Sequence, residues 1–102
     1  MELADVGEIA VALDGVKESR AGGSLRWLLD GRLVARQYDA ESIVIRVDFD
    51  DRERLLRAHP DLFSVPPRFD AHQKVVLRLP DAERAVVELV LRAAWNLQRD
   101  AD

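Results

Sequence analysis

Few residues in this chain could do chemistry, and most sit in patterns that fit another purpose. Asp48, Asp50 and Asp51 place carboxylates close together, which suits a hard cation. An EF-hand loop would also need a glycine at its sixth position and a closing glutamate, and neither is present. Acids at a helix start, capping free N–H groups and lying favourably in the helix dipole, account for the cluster better. His59 and His72 belong to no HExxH or other helical ligand pair, and His59 precedes Pro60 at a helix end. Ser19, Ser24, Ser42 and Ser64 lack a nucleophile-elbow setting, and the chain has no cysteine. These residues indicate no enzyme, cofactor, metal or small-molecule substrate.

What is left is cationic. By strand alternation Arg26, Arg36, Arg46 and Arg78 fall on one outward row, with Arg20, Arg32, Arg68 and Lys74 near strand ends and loops. Such a row can contact phosphates in a salt-dependent way with little base preference. Tyr38, on the same side as Arg36, could stack on a base. The same arginines could equally cover Val34, Val44 and Val76 with their stems and keep the sheet soluble. The formal net charge of −4 argues against binding nucleic acid by overall attraction.

The elements that must position these residues read as follows. At 102 residues and 48% hydrophobic, the chain suits one domain with one core. It begins with neither a signal-peptide pattern nor a membrane-length apolar run, so a cytoplasmic, membrane-free protein is expected. Asp5, with Glu8 three residues on, predicts a capped helix whose apolar face is Leu3, Val6, Ile9, Ala10 and Leu13, ending at Gly15. Residues 20–24 read as a flexible loop around Gly22-Gly23. Strands are predicted over 25–29 and 32–38, joined at Asp30-Gly31, a strong hairpin signal, with a further strand over 42–47.

In this meander Leu25, Trp27 and Leu29, then Leu33 and Ala35, then Ile43, Ile45 and Val47 face the core. Val34, Tyr38 and Val44 share the outward side with the arginines. Asp50 predicts the cap of a helix over 51–58, with Glu53 completing the box and Pro60 forcing the stop. A short edge strand over 62–65 is ended by Pro66-Pro67, and a loop spans 68–72. A strand over 74–79 follows, then a long amphipathic helix from 82 to about 98 opened by Pro80-Asp81. Trp27 and Trp95 lie on apolar faces and read as core. The resulting class is α+β, with element order α-β-β-β-α-β-β-α.

Read together, these segments resemble the MmcQ/YjbR-like family of small bacterial proteins. ALDGVKES resembles its opening, DGRLVAR its GKLFAR-type strand, and RVDFDDRERLLRAHPDLFSVPP its short helix and HPDxFF-like segment. VVLRL followed by a helix ending in AAWNL is similar to its closing strand and Trp-bearing helix. The chain departs from the family pattern at Asp14, where proline is usual, and at Arg68-Phe69, where His-Tyr or His-Phe is common. The resemblance implies an antiparallel sheet with helices packed on one face, the double-wing fold, and a non-enzymatic DNA-binding role through the sheet face and wing loops. The alternative is a protein-interaction module that uses the same face on an acidic partner or on another copy of itself.

Overall fold

The computed structural model describes residues 1–101. Its element order is α1 (Leu3–Val11), β1 (Val16–Ala21), β2 (Ser24–Leu29), β3 (Arg32–Asp39), β4 (Ser42–Arg46), α2 (Phe49–Ala58), β5 (Phe63–Ser64), a 3-10 turn (Pro67–Phe69), β6 (Lys74–Arg78) and α3 (Arg84–Arg99). One sheet holds every strand in the order β1-β2-β3-β4-β6-β5, with all neighbours antiparallel.

The meander therefore has one strand more than the sequence suggests. β1 pairs along its whole length with β2, from Val16 opposite Leu29 to Ala21 opposite Ser24. The supposed loop at Gly22-Gly23 is the hairpin turn, with φ of 59° and 82°. Positive φ at both central residues is what a two-residue turn matching strand twist requires. VKESRA shows no apolar alternation because an edge strand exposed along nearly its whole length buries only Val16. The first helix is correspondingly shorter, ending at Val11 rather than at Gly15. Gly15, at φ 79°, instead serves the turn into β1, where the Val16 N–H donates to the Leu13 carbonyl. Asp30-Gly31 forms its hairpin as expected, at φ 51° and 78°.

Both anticipated helix caps shift toward the N-terminus. The α1 cap is Glu2, and the Asp5 carboxylate accepts the Glu2 N–H at 2.8 Å. The α2 cap is Asp48, not Asp50, and its carboxylate accepts the Asp51 N–H at 2.8 Å. Asp50 and Asp51 then lie in the first turn, where the helix dipole favours acids. Asp48→Ala is expected to cost about 1 kcal/mol of stability in urea unfolding, against a few tenths for Asp50→Ala. Equal losses would contradict this assignment.

The core lies between one face of the sheet and the helices. Val6, Ile9 and Ala10 of α1, Leu55 of α2, and Val87, Val90, Leu91, Ala94 and Trp95 of α3 pack with Trp27, Ala35, Ile43, Ile45, Val75 and Leu77. Both tryptophans are buried there, and each satisfies its indole N–H: Trp27 donates to Glu18 Oε1 at 2.9 Å and Trp95 to the Asp14 carbonyl at 2.8 Å. Strict alternation fails in β3. The register jumps from Trp27 opposite Ala35 to Leu28 opposite Leu33, leaving Val34 as the extra residue of a bulge. Val34 consequently belongs to the core and is fully buried, while Leu33 pairs with Leu28 outside it.

Candidate nucleic-acid interface

The other face of the sheet points away from the helices, and the register determines what meets on it. Arg26 of β2 stands opposite Arg36 of β3, and Arg46 of β4 stands opposite Lys74 of β6. Val44 lies opposite both Arg36 and Val76, and Ser42 opposite Arg78. Like charges directly opposite on antiparallel strands are destabilising. Among the described residues none of Arg26, Arg36, Arg46, Arg68, Lys74 and Arg78 makes an ion pair; the salt bridges lie on the helices and at the α3 end.

A small aromatic and valine cluster turns this row into a built surface. Phe69, on the 3-10 turn, is buried against Val44 and Val76, with Tyr38 and Val65 packed around them. Its ring gathers cations: Arg68 lies 4.6 Å, Lys74 5.2 Å and Arg36 6.0 Å from the centroid. Tyr38 is bulged out of the β3–β4 register, meets Phe69 edge-on at 6.0 Å and lies 5.3 Å beneath Arg68. Tyr38 thus carries Arg68 over its ring and packs against Phe69. Burial, then the charges of Arg36, Arg46 and Arg68, hold the Lys74 ammonium below its ordinary pKa.

The 3-10 turn is held from behind by Arg52 of α2. This buried side chain sends Nη1 to the carbonyls of Phe69, Asp70 and His72 at 3.3, 3.1 and 2.9 Å, and its guanidinium stacks 4.9 Å from the Phe49 ring. Sequence reading missed both Arg52 and Phe69. The helical spacing of Arg52 to Leu55 and Leu56 was the available signal, since it puts the arginine on the core-facing side.

Two of the anticipated residues lie elsewhere. Arg20, on β1 opposite Leu25 of β2, lines a cleft with Leu3, Gly7 and Glu8 of α1, and Arg20 Nη1 donates to the Gly23 carbonyl. Arg32 is opposite Leu29, a core residue, and donates to the Gln98 carbonyl of α3 at 3.1 Å. Both belong to the helix side, Arg32 because the Val34 bulge reverses the parity of its end of β3. The structure thus brings together Arg26, Arg36, Tyr38, Arg46, Arg68, Lys74 and Arg78, and separates Arg20 and Arg32 from them.

Among the described residues no group of three or more His, Cys, Asp or Glu could hold a metal ion, and no helix is long and apolar enough to cross a membrane. No family model, curated protein or solved structure matches the chain.

Proposed function

We propose that this chain is a non-enzymatic DNA-binding protein of the MmcQ/YjbR-like, double-wing type, holding the phosphate backbone against the outer face of its sheet. The observation that carries this reading is the pair of like-charge oppositions, Arg26 with Arg36 and Arg46 with Lys74, set in a protein of net charge −4. A face selected for solubility or stability would alternate its charges. One that concentrates unpaired cations over aromatic and valine packing is suited to an external polyanion.

The test is fluorescence anisotropy of a short labelled duplex of arbitrary sequence, titrated with the protein across salt concentrations. Micromolar affinity that falls steeply with salt is expected, with a log–log slope no steeper than about −5 if each outward cation meets one phosphate. Absence of binding at low salt overturns the reading and leaves an acidic protein or another copy of the chain as the counterpart of this face.

A second expectation separates binding from stability. Because the folded state lowers the Lys74 pKa, the charged side chain opposes folding. That penalty is complete below the folded pKa and disappears as pH rises toward the ordinary lysine value of 10.5. Lys74→Met should therefore raise the melting temperature at neutral pH while weakening DNA binding. The stability gain should shrink as pH climbs through that window. Thermal melts at neutral and alkaline pH check the sign.

A further inference from the structure

The two ends of the sheet are built differently. β5, at one end, is two residues long and runs into Pro66-Pro67, which blunts that edge. β1, at the other end, is a full six-residue strand whose residues after Val16 are all exposed. Its free backbone groups can be identified. The Leu25 N–H donates to Gln37 Oε1 on β3, so it points away from β1, and the Arg20–Leu25 pair is not hydrogen-bonded between β1 and β2. Arg20, and by alternation Glu18, therefore turn their own N–H and C=O outward. The Val16 N–H, of the same parity, agrees by donating to Leu13 instead of to β2.

The geometry points to a homodimer in which β1 pairs antiparallel with β1 of a second copy, the two-fold axis passing midway between Ser19 and the partner's Ser19. That register places Glu18 opposite the partner's Arg20 and Arg20 opposite the partner's Glu18, as hydrogen-bonded pairs that use the free backbone groups identified above. Opposite charges then face each other twice across the seam, on the helix side of the sheet. Shifting the register to place the axis at Glu18 or Arg20 would set like charge against like. Val11 of α1, 48% exposed, lines the same cleft as Glu18 and Arg20 and gives the seam apolar surface to bury. A two-fold axis perpendicular to the sheet leaves both outer faces on one side, so the dimer carries one continuous sheet. The pairing stands independently of what the outer face binds.

Because the chain has no cysteine, single-cysteine variants report the seam directly. Ser19 opposite the partner's Ser19 is a non-hydrogen-bonded pair, with Cα atoms about 4.5 Å apart, within disulfide reach. Ser19→Cys is expected to cross-link to a dimer on mild oxidation, whereas Lys17→Cys, opposite the partner's Ala21, is not. Sedimentation equilibrium of the unmodified chain should show a micromolar monomer–dimer equilibrium. Arg20→Glu and Glu18→Arg should each be monomeric and should form a heterodimer when mixed. A chain monomeric at about 1 mM overturns the proposal. So does Ser19→Cys cross-linking no faster than Lys17→Cys, or Arg20→Glu that dimerises unchanged. Should Glu18→Arg fail to fold through loss of the Trp27 hydrogen bond, the cysteine comparison and Arg20→Glu still decide the matter.

Discussion

Changing Arg26, Arg36 and Arg78 together to Glu is expected to weaken duplex binding at least about a hundredfold near 0.1 M salt, with the fold intact. Each cation neutralising a phosphate contributes close to one decade of affinity at that salt, and the log–log slope falls by nearly one for each phosphate no longer neutralised. Removing three such cations thus more than accounts for the hundredfold, and the introduced carboxylates add repulsion. The three positions sit on separate strands of the outer face, and Arg26 and Arg78 are exposed. The substitutions also replace the Arg26–Arg36 opposition with another like-charge pair, so the stability of the sheet changes little. Circular dichroism and thermal melts establish folding, and anisotropy across salt measures the slope. A triple variant that binds with unchanged affinity and slope would remove the outer face from the interaction. Arg20→Glu and Arg32→Glu, on the helix side, should each leave the slope for a single duplex contact unaltered.

Replacing Arg52 with Leu is expected to cost about 2–3 kcal/mol, a fall of roughly 10–20 °C in melting temperature. The guanidinium is the common donor for three carbonyls of the 67–72 segment. Phe69 and His72 keep backbone donors to their carbonyls, from His72 and Lys74 respectively, whereas no other bond to the Asp70 carbonyl is present among the described residues. The loss spreads because this segment carries Phe69 over Val44 and Val76, and Phe69 in turn gathers Arg68, Lys74 and Arg36. Amide exchange in residues 69–74 should accelerate beyond the global change, and DNA affinity should fall although no outward cation has been altered. Arg52→Lys, with three ammonium donors on a shorter stem, should recover part of the stability. Unchanged stability in Arg52→Leu would show that the turn holds without its clamp.

The legible parts of this chain were those governed by local rules. Asp30-Gly31 announced its hairpin because a two-residue turn needs positive φ, and Pro60 ended α2 because proline disfavours helix at the preceding residue. The α3 stripe and the two tryptophans declared the core through periodicity and bulk. β1 escaped notice because an edge strand has no buried face to write into the sequence, only a partner strand to receive its backbone. The caps were displaced by one helical turn or less, since several acids stood close enough together to serve. The outward row was legible at Arg26, Arg36, Arg46 and Arg78, where alternation runs undisturbed. Alternation failed at Leu33 and Val34, because a bulge inserts a residue and reverses the faces beyond it. Local propensity and period-two alternation determined by themselves that a half-solvated antiparallel sheet would carry arginines outward. Only the tertiary structure decided which cations oppose one another, that Phe69 gathers them, and that Arg52 holds Phe69 in place, because register and long-range packing are set between segments distant in the chain.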